Sequence, residues 1–173
     1  MRILLLGASG FIGSALAHAL LRQGHAVTGI GRDVAYGQRI LPGVEWCHGD
    51  LRTMHTPDDW MPLLGGVDMI VNASGALQTG LRDNVDLVQH DAIVALVNAA
   101  ALAGIGHMIQ ISAAGAECQS ASPFMATKAR ADAALEAAGI GHTVIRPGLV
   151  IGRNAFGGTE LLRAAAGLPL VHV

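Results

Sequence analysis

Residues 2–13 read RILLLGASGFIG, with four apolar residues from Ile3 to Leu6 running into glycines at positions 7, 10 and 13. A strand covered on both faces reads as a continuous apolar run rather than as an alternation. SALAHALLRQG follows at residues 14–24, with helical spacing and a glycine stop at Gly24. Strand, glycine turn and helix in direct succession open a βαβ unit. In that setting each glycine has its own task. Gly7 permits the tight turn, Gly10 lets the backbone approach a pyrophosphate, and Gly13 lets the helix pack closely on the sheet. The helix N-terminus offers N–H groups and a partial positive charge to phosphates. Ser9, Phe11 and Ile12 are expected to lend backbone N–H groups there. The same spacing also occurs in a plain strand–helix turn; the buried strand before it and the amphipathic helix after it point to a dinucleotide.

Outward from this turn the alternation continues. HAVTGIG, VEWCHGD, VDMIVNAS, HMIQISA and HTVIRPG read as five further strands. Between them lie a short helix over 57–64 opened by Pro57, a long one from Asp83 to Ala103 ended by Gly104, and one over 123–138 stopped by Gly139. This predicts an α/β protein: a Rossmann-like, doubly wound parallel sheet in three layers. After Gly148 the pattern weakens. GRNAFGG reads as a loop, Thr159 as a cap and Gly167 as a helix end. The expected organisation is a nucleotide-binding domain over 1–155 and a short C-terminal segment, 156–173, that starts a truncated substrate region. There is no repeat and no low-complexity linker.

The bulk properties exclude several classes. The 173 residues are 51% hydrophobic, which argues against disorder. A net charge of −2 with scattered charges gives no patch for a nucleic-acid backbone. The two cysteines, Cys47 and Cys118, form neither a CxxC nor a zinc spacing, so reduced thiols, no metal and a cytoplasmic location are expected. No apolar run approaches the roughly 20 residues of a spanning helix. The chain is therefore not expected to insert in a membrane, although it can be one part of a longer membrane-associated protein.

The end of the second strand bears on the cofactor. An NAD enzyme places a carboxylate there for the ribose hydroxyls. This chain has Gly31-Arg32, and an arginine pairs with a 2′-phosphate. NADP(H) is favoured on that ground, with NAD(H) left open. Asp33 complicates the reading, either neutralising Arg32 or contacting a ribose.

GASGFIG, Gly31-Arg32, Gly49-Asp50-Leu51, Asn72-Ala73-Ser74, SPFMATK and IRPG together resemble the short-chain dehydrogenase/reductase superfamily, up to about residue 155. Within it the chain looks most like the atypical, extended-type branch. That branch includes the nucleotide-binding accessory subunit of respiratory complex I and NAD(P)-binding redox sensors. The resemblance implies that Asp50 and Leu51 hold the adenine edge, and that Asn72, Ala73 and Ser74 line the adenosine and its ribose. It also implies that Lys128 contacts the nicotinamide ribose, and that Arg146, Pro147 and Gly148 form the loop beside the nicotinamide.

Enzymes of the superfamily place a tyrosine four residues before the lysine, and its hydroxyl moves a proton. Here that position is Phe124, which has no proton to give. Ala113 takes the place of the hydroxyl that orients the substrate, and Ser112 substitutes if the alignment shifts by one residue. Lys128 keeps a reason to stay, since holding a ribose needs no tyrosine. Two functions follow. One is a dinucleotide-binding sensor or structural module. The other is an oxidoreductase, epimerase or dehydratase acting on an unidentified small molecule, with a proton donor elsewhere: His90, Ser112, water or the missing C-terminal region. Association with a membrane complex rests on family analogy alone. Among the other polar residues, His90 and Asp91 are read as facing the cofactor region and His48 as near the adenine end. His18, His107 and His142 are read as structural or surface residues, Ser120 and Ser122 as caps, and Glu117 and Asp132 as solvated charges.

Overall fold

A computed structural model describes residues 1–75 and 84–152. Six strands, β1 (Arg2–Leu6), β2 (Ala26–Gly31), β3 (Glu45–His48), β4 (Met69–Asn72), β5 (His107–Ile111) and β6 (Gly141–Ile145), form one sheet. All neighbours are parallel, in the order β3-β2-β1-β4-β5-β6. This is the doubly wound order, and its crevice lies where the strand order reverses, beyond the carboxyl ends of β1 and β4.

The apolar run of β1 is buried on both faces because two cores flank it. Leu4 and Leu6 join Trp60, Ile70, Ile93 and Leu96 on one side. Ile3 and Leu5 join Ala17, Val27, Leu41 and Trp46 on the other. Helix α1 (Phe11–Arg22) packs in the second core, and α4 (Ala92–Leu102) and α5 (Pro123–Ala137) supply residues to the first. The expected three layers are observed.

The helices differ in detail from the expectation. Residues 34–40 form α2 (Val34–Ile40), a helix the sequence does not announce, capped by Asp33, whose carboxylate accepts the Tyr36 N–H at 2.8 Å. The stretch opened by Pro57 is a single turn, α3 (Pro57–Trp60), followed by a 3₁₀ turn over Met61–Leu63. The long helix before β5 contains a π-helical turn, Leu87–Asp91, directly ahead of α4. Gly104 then stops it with φ 69°. Ser122 occupies the N-cap position of α5 but makes no side-chain cap bond; its own N–H donates to Ser120 Oγ at 3.2 Å. Thr159 and Gly167 lie outside the described residues. Among the described residues no helix is long and apolar enough to cross a membrane.

Candidate functional site

The turn after β1 is built as the glycines require. Gly7 has φ 72°, and a Cβ there would lie 2.6 Å from the Ala73 carbonyl oxygen. A Cβ on Gly13 would lie 1.9 Å from the Gly7 carbonyl oxygen, so α1 sits against the turn as only glycine allows. Gly10 N–H donates to the Gly7 carbonyl at 2.8 Å and Gly10 is the N-cap of α1. Phe11, Ile12 and Gly13 are the first residues of α1, whose N–H groups have no partner within the helix.

A cleft of about 330 Å³ opens over this turn. Gly7, Ser9, Gly10, Arg32, Asp50, Leu51, Ala73 and Ser74 line it, as expected. Tyr36, Arg52, Gly75 and Val88 line it as well, and the sequence reading does not include them. Phe11 and Ile12 are not in this lining; with His18, Arg22, Val150 and Ile151 they line a second hollow on α1, where the Phe11 ring lies against Gly152. Asn72 does not line the cleft. It is 1% exposed, donates to Gln110 Oε1 at 2.8 Å, and accepts from the Ser74 N–H and hydroxyl at 3.0 and 2.6 Å. Its role is to shape the turn that forms the wall.

At the β3 end, Asp50 and Arg52 form a fork. Arg52 Nε lies 2.9 and 3.0 Å from the two carboxylate oxygens, and the Arg52 backbone N–H donates to Oδ1 at 3.0 Å. The Arg52 hydrogen bond is the largest cause holding the Asp50 carboxyl below its usual pKa, against a desolvation that raises it. Asp33 is spent on capping α2 and is not part of the cleft lining.

Beyond the cleft floor lies a buried polar group. Lys128 is buried on α5, and its Nζ donates to the Ile111 carbonyl at 2.7 Å and the Ser74 carbonyl at 3.2 Å. Burial lowers its pKa to about 8, with the Asp132 carboxylate working in the opposite direction. A Cβ on Gly75, a lining residue, would lie 3.6 Å from this Nζ, which puts the amine just behind the wall.

Asp132 corrects the sequence reading. It is 1% exposed rather than solvated. Its Oδ2 accepts from Ser112 Oγ at 2.6 Å and from Arg146 at 3.1 Å. Ser112 therefore gives its only hydroxyl hydrogen to Asp132 and has none to give a substrate in this arrangement. Arg146 is turned to Asp132, with Glu136 3.7 Å away. Pro147 accepts the Ala114 N–H at 2.9 Å; it and Gly148 are not in the cleft lining.

Phe124 is half-buried on the first turn of α5. His90 pairs with its neighbour Asp91 at 2.7 Å, and Val88, not His90, lines the cleft. His48 ends β3 opposite Gly31, His18 lines the second hollow on α1, His107 bonds Thr143 and His142 bonds the Ile140 carbonyl. Glu117 is exposed, as expected.

The residues fit a dinucleotide: side-chain-free backbone at the glycine turn, a helix start directly behind Ser9 and Gly10, and guanidiniums at the far end. Comparison with known proteins agrees. The family model for NAD(P)H-binding proteins matches residues 7–166. An uncharacterized sugar epimerase, YhfK of Bacillus subtilis, is 28% identical over 162 residues, covering 86% of this chain and 72% of that protein. The enzyme WbmH of Bordetella bronchiseptica, solved in complex with NAD+, superposes with a TM-score of 0.77 at 21% identity over 96% of this chain. The oxidoreductase ylbE of Lactococcus lactis does so with a TM-score of 0.72 at 25% identity, over 91% of this chain and 73% of its own. The chain spans 62% of the length of WbmH. With the strand order, the glycine turn and the family match in agreement, the chain belongs to the NAD(P)H-binding family.

Proposed function

We propose that this protein binds NADP(H) in the cleft over the glycine turn and uses it without the superfamily's usual proton transfer, as a sensor or structural module. One observation carries the cofactor choice: Arg32, at the end of β2, lines the cleft where an NAD enzyme would have a carboxylate. Bound nicotinamide supplies hydride chemistry at its ring carbon C4. In this reading Gly7, Ser9, Gly10, Phe11, Ile12 and Gly13 receive the pyrophosphate. Asp50 and Leu51 border the adenine, Ala73 and Ser74 the adenosine ribose, and Lys128 the nicotinamide ribose. Phe124, one helical turn before Lys128, covers the place of the missing hydroxyl.

A second reading, an active oxidoreductase or an epimerase or dehydratase, is favoured by the likeness to a protein named as a sugar epimerase. Its proton donor is not Ser112 while Asp132 holds that hydroxyl. A reducing, cytoplasmic compartment is proposed alongside both readings, on the free thiols of Cys47 and Cys118.

Calorimetric titration with NADPH and NADH tests the cofactor choice: NADPH should bind more tightly, and tighter NADH refutes it. Incubation with NADPH and a panel of carbonyl and nucleotide-sugar substrates separates the two readings. The sensor reading predicts no turnover in the wild type and a gain in Phe124→Tyr. Turnover in the wild type that Phe124→Tyr leaves unchanged would establish the enzyme reading instead.

A further inference from the structure

Helix α5 carries two buried charges on one face: Lys128, 5% exposed, and Asp132, 1% exposed, one helical turn apart. They grip adjacent residues of one strand end. The amine donates to the Ile111 carbonyl, and the carboxylate accepts the Ser112 hydroxyl. The Ser112 N–H donates to the Ile145 carbonyl at 2.8 Å, so β6 shares the anchor. Holding Ser112 does not require a charge. An asparagine would accept the same hydroxyl without the cost of burying a carboxylate. Asp132 uses one oxygen, Oδ2; among the described residues its Oδ1 is buried with no hydrogen-bond partner. Arg146, the cation paired with Oδ2, is half-exposed, and water can hydrate it instead.

The charge matters at Lys128. An ammonium has three hydrogens to give and a neutral amine two. The Ile111 and Ser74 carbonyls accept two. A third, for a ribose oxygen, exists only while the amine is charged. Burial works against that charge, and Asp132 works for it. From the other elements, Ser74, Ser112 and the Gln89 carboxamide near Gly75 bring no charge. The π-helical turn carries His90 paired with Asp91, and Asp86 ahead of it pairs with Arg130. Glu136 lies beyond Asp132, beside Arg146. Of these charges Asp132 is the one whose field acts on the amine.

We propose that Asp132 is a positioning residue for dinucleotide binding: its charge keeps the third ammonium hydrogen on Lys128, the one left for the ribose. The proposal rests on the reading of Lys128 as the ligand of the nicotinamide ribose and adds a residue to it.

The test is calorimetric titration with NADPH, from mildly acidic to alkaline pH, of wild type, Lys128→Met, Asp132→Asn and Asp132→Glu. Wild-type affinity should fall as pH rises through about 8, where Lys128 of the free protein loses its proton. Lys128→Met should bind more weakly and show no such fall. Asp132→Asn should match wild type at the acidic end and lose affinity about one pH unit earlier, so that it binds about fivefold more weakly at the wild-type midpoint. Asp132→Glu keeps the charge and should keep the wild-type midpoint, and it carries the test should Asp132→Asn not fold. An Asp132→Asn midpoint equal to that of wild type, with or without a uniform loss of affinity, makes Asp132 a structural anchor only. That overturns this inference and leaves the ribose reading standing. A wild-type affinity that does not fall, or an Asp132→Glu midpoint lowered as far as that expected for Asp132→Asn, overturns it too. Lys128→Met that binds as wild type does refutes the ribose reading, and this inference with it. No binding of NADPH by the wild type refutes the cofactor reading itself.

Discussion

Lys128 shows what burial does to one charge. Its pKa falls from 10.5 to about 8 because the amine is desolvated, despite Asp132. Between those values the unfolded chain binds more protons than the folded one, so stability should rise with pH across that window. Below about pH 8 the cost is fully present. At about 1.4 kcal/mol per unit the whole window is worth about 3 kcal/mol. Urea midpoints for wild type and Lys128→Met, taken at neutral and at strongly alkaline pH, check this. The wild type should gain on the variant as pH rises, and a constant difference would refute the account. Asp132→Ala should destabilise by about 2–4 kcal/mol, because Ser112 and the ion pair with Arg146 both lose their partner. Asp132→Asn, which keeps an acceptor, should cost less in the same melts. Lys128 was legible in the sequence because its spacing to Phe124 is local. Asp132 was not: the residues that close over it, Ser112 and Arg146, come from strand ends 20 and 14 residues away.

At the scale of the element, the glycine turn is a steric object. Gly13→Ala places a methyl 1.9 Å from the Gly7 carbonyl oxygen, against backbone that cannot yield, whereas at Gly10 the distance is 3.1 Å. Gly13→Ala should therefore cost about 1–3 kcal/mol in urea melts and abolish dinucleotide binding in calorimetry, with Gly10→Ala milder in stability. A Gly13→Ala protein as stable as wild type and binding as well would contradict this packing. The turn was readable because strand, glycines and helix are contiguous. Helix α2 was not, since its seven residues include a glycine and its support is the Asp33 cap and tertiary packing. The π-helical turn leaves no mark in composition, and within it Val88 rather than His90 reaches the cleft.

For the whole molecule, the alternation of apolar strands and helices fixes the number of layers, while the order of the strands emerges from the crossovers. That order sets β1 between β2 and β4, and so brings Arg32, Asp50 and Ser74, far apart in the chain, to one cleft. A ligand that binds only the folded state must stabilise the whole domain. NADPH at about 100 times its Kd should add about 2.7 kcal/mol. For a chain of this size that is roughly 5–11 °C in Tm by thermal-shift assay. NADH at the same concentration should raise Tm less. No rise with either would argue against a dinucleotide site in this cleft.

The two carbonyls that hold the Lys128 amine have one more consequence. A lysine side chain in water surrenders up to about 2 kcal/mol of rotamer entropy when it is immobilised. Here Ser74 and Ile111, one after β4 and one at the end of β5, have already fixed the side chain. That entropy is lost when the chain folds, not when a ribose arrives. On the proposed reading of Lys128 as a ribose ligand, the ligand would meet an amine already aimed, and that contact would depend on the alignment of two strand ends.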